Sequence, residues 1–232
     1  MDRPLGQIIR PPTLVAAAAA KLRDAILSGD LSPGTPLPEV DVSESLNISR
    51  GSTREALRVL QDEGLVEIVP HKGASVTRLT PAKVEQISSL RAVLESYAVR
   101  IALENRAYGQ QDLEQLERLV KRLGQLEKVG TVRESICTDM EFHRLICERS
   151  GHPLLLKVLE SLRSLTMLLI LNTKLYGSDM TDDESTHRAI FDAIRSGDPQ
   201  LGEQVVREHV KQSGQWLFDR MREVDWESVN AS

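Results

Sequence analysis

The segment Leu46–Gly73, LNISRGSTREALRVLQDEGLVEIVPHKG, constrains the fold more than any other part of the chain. It reads as a short helix end, a tight turn, a second helix and a two-stranded hairpin. That is the order of a winged helix-turn-helix, a unit that reads DNA. The second helix carries Arg50, Arg54 and Arg58. Residues four apart drift only about 40° around a helix, so the three arginines share one face. Ala56, Leu57 and Leu60 fall on the other side, where they can be buried. One cationic and one apolar face suit a helix lying in the major groove.

Length and charge frame this unit. A chain of 232 residues is long enough for two modest domains. Aromatic residues make up only 3%, and Ala, Leu, Glu and Arg are abundant, which favours helices over sheets. The net charge of −5 argues against a general nucleic-acid coat protein, not against a sequence-specific one. The local field decides, and Arg50, Arg54, Arg58, Lys72 and Arg78 crowd the proposed reading surface. Cys137 and Cys147 lie ten positions apart on one predicted helix, too far to bridge, and read as two buried thiols in a reducing compartment. Leu14–Ala20 is too short for a signal peptide and runs into Lys21, Arg23 and Asp24. Leu165–Leu171 is far shorter than a membrane span. The expectation is a soluble, cytoplasmic protein with no membrane partner.

The punctuation of the chain separates a mobile arm (1–11), a DNA-binding domain (12–79) and a helical domain (80–228). A first helix, Leu14–Ser28, buries Leu22, Ile26 and Leu27 and stops at Gly29. Pro33, Gly34 and Pro36 form a turn, and a second helix covers Glu39–Leu46. Ser49 is placed to cap the third, its hydroxyl accepting an amide of the first turn. Gly64 ends that helix, and Leu65–Val69 pairs with Ala74–Thr77 around Pro70–Gly73. Thr80 before Pro81 opens a long helical region by the cap-then-proline rule. Helices are predicted over Pro81–Arg106, Asp112–Lys128, Val132–Ser150, Pro153–Tyr176, Asp182–Ser196 and Pro199–Val224. Thr181 with Glu184 makes a capping box, and Asp198 caps the last helix. The fold class is mainly α: an N-terminal winged helix-turn-helix plus an antiparallel six-helix bundle.

The stretch Gly29–Val76 resembles the DNA-binding domain of the GntR family of bacterial transcription regulators. The pieces that carry the resemblance are GDLSPGTPL, ISRGSTREAL, DEGLV and HKGASV, in the family's order and spacing. Gly51, Ser52 and Thr53 stand where the family usually has Thr-Pro-Val, and Val42, Ser43 and Glu44 where it has Leu-Ala-Glu. The resemblance implies contacts to DNA from Ser49, Arg50, Ser52 and Arg54 on the third helix and from His71, Lys72 and Gly73 in the wing.

A second constellation lies in the helical region. Asp139 and His143 sit at i and i+4, so one helix face presents a carboxylate beside an imidazole. His187 and His209 fall on the last two predicted helices. Converging in one core, these four side chains would form a mixed oxygen and nitrogen site for a divalent metal. Read by spacing alone, such a pair is commonly a surface pair, and a lone helical histidine is usually a packed or solvated residue. The helical region, however, resembles the all-helical ligand-binding domain of the FadR-like branch of the family. The resemblance implies that Asp139, His143, His187 and His209 hold a metal, zinc or else nickel or manganese, beneath an effector pocket. The family often has Glu where this chain has Thr186. Arg91, in RAVLE, matches a family Arg-x-x-Leu-Glu motif and would grip an effector carboxylate, unless it only forms a surface salt bridge with Glu95 at i+4. His152 reads as a cap residue.

These readings converge on a homodimeric transcription regulator, a repressor acting on a palindromic operator and controlled by a small carboxylate effector. The rivals are a metal-dependent enzyme carrying a DNA-binding domain, and a regulator whose metal is purely structural.

Overall fold

A computed structural model describes residues 13–176 and 183–223. The arm 1–11, the Thr181 half of the capping box, Asp182 and Val224 lie outside the described residues. The chain divides between Thr77 and Arg78 into two compact units.

The first unit holds α1 (Leu14–Leu27), α2 (Glu39–Leu46), α3 (Arg50–Asp62), β1 (Val66–Val69) and β2 (Gly73–Val76). Thr13 caps α1 through its hydroxyl, and Ala18, Ala19, Leu22, Ile26 and Leu27 form its buried stripe. The turn between α2 and α3 is built by Asn47, whose φ of 52° is left-handed. Its neighbour Ile48 donates its amide to the Ser43 carbonyl at 3.0 Å, which satisfies an orphan acceptor at the end of α2. On α3 the residues turned inward are Thr53, Ala56, Leu57 and Leu60. The strands pair antiparallel, Val66 opposite Val76 and Val69 opposite Gly73. Thr35–Leu37 lies along the outer side of β2: Leu37 N–H donates to Ala74 O at 2.8 Å and Val76 N–H to Thr35 O at 2.9 Å. Pro36, which has no N–H to donate, occupies this edge.

The second unit is helical: α4 (Pro81–Glu104), α5 (Gln110–Val129), α6 (Val132–Glu148), α7 (Pro153–Ser161), α8 (Arg163–Tyr176), α9 (Asp183–Ser196) and α10 (Pro199–Glu223). Side chains set the helix starts. The Thr80 hydroxyl accepts from Lys83 N–H at 3.2 Å, and Asp198 Oδ1 accepts from Gln200 and Leu201 amides at 2.9 and 3.1 Å. His152 is a cap, as expected, its Nδ1 accepting from Leu155 N–H at 3.2 Å. Thr131 and Glu134 form a full capping box on α6.

One predicted helix is divided. The stretch Pro153–Tyr176 breaks at Leu162, whose N–H turns to the Leu159 carbonyl at 3.1 Å. The Val158 carbonyl, its partner in an unbroken helix, instead accepts the Ser161 hydroxyl at 2.7 Å. The serine hydroxyl thus takes up a carbonyl that the break leaves free.

The core of this unit gathers Val99, Leu116, Val120, Phe142, Ile146 and Ile190, all fully buried. The Tyr108 hydroxyl donates to the Ile146 carbonyl at 2.7 Å and ties the α4–α5 link to α6. Helices α4 and α10 pack along each other, and glycines on α10 permit their approach. A Cβ at Gly214 would collide with Cβ and Oγ of Ser88, and one at Gly202 with the Leu103 side chain. Replacing Gly214 by Ala adds helix propensity worth about 1 kcal/mol. Overpacking against short, stiff Ser88 costs about 1–3 kcal/mol and is expected to dominate. Thermal melting should therefore show Gly214→Ala destabilised, and Ser88→Gly in the same chain should relieve part of the loss. A Gly214→Ala protein that melts at or above the wild-type temperature would contradict this packing.

Candidate metal centre and DNA-reading face

The candidate reading face of the first unit is the outer side of α3. Ser49 caps it, its Oγ accepting from Ser52 N–H at 3.1 Å, and the two hydroxyls lie 3.0 Å apart. This cap presents Arg50 at the exposed start of the helix, where the free amides favour negative charge. Arg54 and Arg58 are exposed on the same face, as their spacing requires. Each is engaged by a carboxylate. Arg54 donates from Nε and Nη2 to Glu39 of α2 at 2.9 and 2.7 Å, and Arg58 pairs with Glu55 at 2.8 Å. The Arg54 guanidinium draws the Glu39 carboxyl below its ordinary range. In the wing, His71 with φ 66° and Gly73 with φ 86° turn the chain between the strands. His71, Lys72 and Gly73 are all exposed.

In the second unit α6 supplies Asp139 and His143, α9 supplies His187 and α10 supplies His209. The three imidazoles bring one nitrogen each within 4.8 Å of one another. Asp139 Oδ2 lies 3.2 Å from His187 Nε2, and Asp139 Oδ1 lies 4.0 Å from His143 Nε2. Asp139, His143 and His187 are buried, and Phe142 packs edge-on against the rings of His143 and His187. Of the four residues named from the sequence, the three histidines thus converge, and Asp139 lies beside two of them.

The electrostatics of the cluster suit a cation. Asp139 Oδ1 is buried and accepts no hydrogen bond, an expensive state for a carboxylate oxygen unless something positive meets it. Burial favours protonation of Asp139, but His143, His187 and Arg91 outweigh it and hold the carboxyl far below the usual range. His209 is pushed well below the ordinary imidazole range, first by burial and then by His187 and His143. A neutral imidazole and an ionised carboxylate are the forms that bind a metal. Three nitrogens and one oxygen are a donor set for zinc, with nickel and manganese also accommodated by added ligands.

A cavity of about 400 Å³ opens against this cluster between α4, α6, α7 and α8. Arg91, Glu95 and His143 line it together with Met140, Lys157 and Thr166. Arg91 is paired with Glu95, Nε to Oε1 at 2.7 Å, yet the pair is not the surface salt bridge considered from the sequence: both side chains are buried. The other Glu95 oxygen, Oε2, lies 2.6 Å from His143 Nδ1. Sequence reasoning placed Glu95 only as a partner of Arg91 and missed this second contact. The two cysteines also part ways. Cys147 is buried against the cavity, but Cys137 is exposed on α6, a correction to the expectation of two buried thiols.

Known proteins place this architecture. The profile of the bacterial regulatory proteins of the gntR family matches residues 14–76, and that of the FCD domain matches residues 86–212. An HTH-type transcriptional regulator of Bacillus subtilis, YdhC, is 31% identical over 196 residues, covering 82% of this chain and 84% of its own. The chain belongs to the GntR family. Its second unit is an FCD domain, and the protein is a DNA-binding transcription regulator, not an enzyme, which sets aside the enzymatic rival.

Other GntR relatives include a probable D-xylose utilization operon repressor of Paenarthrobacter nicotinovorans, 28% identical over 83% of this chain and 85% of its own. The repressor NanR of Cronobacter sakazakii is 28% identical over 82% and 80%. In fold, the chain is similar to a putative GntR regulator from Rhodococcus, with TM-score 0.75 at 20% identity over 88% of this chain and 97% of that one. McbR/YncC of E. coli gives a TM-score of 0.70 at 23% identity over 90% and 98%. No helix among the described residues is long and apolar enough to cross a membrane.

For the reading face, Arg50→Ala and Arg54→Ala are each expected to weaken operator binding by the worth of a good base or phosphate contact, about 1–3 kcal/mol. Glu39→Gln separates orientation from charge. Removing a negative charge near DNA would by itself tighten binding, so a loss of affinity marks Glu39 as holding the Arg54 fork in place. Gel-shift titration with the full chain decides it. Unchanged affinity in both arginine variants would dismiss the face.

Proposed function

We propose that this GntR regulator is a homodimeric repressor of a palindromic operator, released by a small organic acid that binds beside a metal held by Asp139, His143, His187 and His209. The observation that carries the proposal is the position of His143, which belongs both to the cluster and to the wall of the cavity. A resident divalent metal, zinc above nickel or manganese, would supply Lewis acidity toward an acid oxygen. The protein's own part is recognition. Arg91 lines the same cavity and offers a planar guanidinium that a carboxylate can meet through two hydrogen bonds. Met140, Leu156 and Leu159 give the cavity an apolar side suited to a carbon skeleton.

Repression is supported by relatives whose names call them repressors. The exposed faces assigned to DNA are Ser49, Arg50, Ser52 and Arg54 on α3 with His71, Lys72 and Gly73 of the wing. Two such units related by a two-fold axis would match a palindrome. The working compartment is the cytoplasm, where the operator is. For an acid to change DNA affinity it must bind one conformation of the dimer better than the other, a coupling of about 1–3 kcal/mol, or about 5–150-fold.

Arg91 tests the proposal. A thermal-shift screen of small carboxylates on the zinc-loaded full chain should yield at least one stabilising acid that also lowers operator affinity. Arg91→Ala and Arg91→Lys should still bind operator but lose the response, because lysine keeps the charge without the planar fork. An Arg91→Ala protein that answers the same acid at the same concentration, or a screen in which no carboxylate binds, would overturn the effector assignment.

A further inference from the structure

We infer that Glu95 is a positioning residue that sets which nitrogen of His143 faces the metal cluster and ties that choice to the cavity arginine. The inference rests on the proposed metal site. It follows from the donor inventory of three side chains. An ionised carboxylate only accepts, and the Arg91 guanidinium only donates. Arg91 Nε donates to Glu95 Oε1 at 2.7 Å, so that oxygen is committed. Glu95 Oε2 lies 2.6 Å from His143 Nδ1, and with an acceptor there Nδ1 must carry the proton.

The consequence falls on the other nitrogen. With Nδ1 protonated, a neutral His143 has its lone pair on Nε2. Nε2 is the atom turned toward Asp139, 4.0 Å from Oδ1. The Nε2 edge, beside Asp139, is therefore the ligating edge, and the rings of His187 and His209 lie close by, their centroids 5.4 and 5.3 Å from that of His143. A carboxylate behind a histidine in this way fixes the tautomer and the ring plane and makes the imidazole a better donor. Glu95 differs from an isolated support of this kind because its second oxygen holds Arg91 at the cavity wall. One buried carboxylate thus orients both groups proposed to meet the effector acid. Its burial, at 3% exposure, keeps water from competing for either contact.

Glu95→Gln is nearly isosteric and breaks the logic. A side-chain amide has one oxygen and one NH₂, so it cannot accept from both neighbours. If the oxygen stays with Arg91, the NH₂ faces His143 Nδ1 and drives the proton to Nε2, which blocks ligation. Two readings are needed. In the metal-free wild-type chain, nitrogen-15 NMR followed as pH is raised should show the neutral form of His143 protonated at Nδ1 and bare at Nε2. An Nε2–H tautomer there would overturn the inference without any variant. Competition of zinc chloride against a chromophoric chelator should then show zinc affinity lowered about 10–100-fold in Glu95→Gln, with helical content retained. A folded Glu95→Gln protein that binds zinc as tightly as wild type would also overturn it. If the wild-type chain takes up no zinc while His143 shows the Nδ1–H form, the metal proposal fails and the role of Glu95 toward a metal fails with it. Zinc bound by wild type with an Nε2–H His143 would sink the Glu95 inference alone.

Discussion

The helical domain is organised around ionisable side chains that it can bury only together. Arg91, Glu95, Asp139, His143 and His187 are all buried, with His209 packed against them. Taking a charge out of water costs several kcal/mol, and removing one member of a buried pair typically costs about 3–5 kcal/mol. The domain meets this cost with contacts in series: Arg91 to Glu95, Glu95 to His143, and Asp139 to His187. Apolar residues of the same volume would fill the space at lower cost, so the cluster is better explained by what it binds than by stability. One oxygen of Asp139, Oδ1, remains without a hydrogen bond, 4.0 Å from His143 Nε2.

Precision comes from the elements that carry these groups. All lie on helices, not loops, and each helix is anchored by side-chain caps or close packing. Thr80 fixes the start of α4, the Thr131–Glu134 box that of α6, and Asp198 that of α10. Gly214 and Gly202 let α10 settle against α4, which sets the depth at which His209 enters the core. Phe142, fully buried beside two of the histidines, limits their ring rotation. Sites on rigid, packed elements of this kind hold their donors more closely than sites on loops.

What was legible in the sequence follows the range of the interactions. The turn from α2 to α3, the Ser49 cap and the arginine face are local, set within a few residues, and were readable. The Asp139–His143 pair was readable from i, i+4 spacing on one helix. That His187 and His209 join it depends on how three helices meet, and only the family resemblance supplied that. The Glu95–His143 contact spans 48 positions and the Arg54–Glu39 contact 15, so no periodicity announces either. The break at Leu162 shows as a change of one backbone hydrogen bond, which apolar periodicity does not register. The exposure of Cys137 depended on the phase of α6 against its neighbours, which its two-cysteine count could not give.

In the proposed reading an acid would be sensed by its fit between a metal and Arg91, and the metal is the premise on which that fit depends. Anomalous diffraction at the zinc edge, from crystals of the full chain loaded with zinc, tests the premise most directly. One strong peak per chain is expected, enclosed by Asp139, His143, His187 and His209. It should vanish in His187→Ala or His209→Ala, because each removes one of four ligands. A zinc-loaded crystal with no peak there, or with its peak ligated by other residues, would contradict the assignment of the cluster as a metal centre.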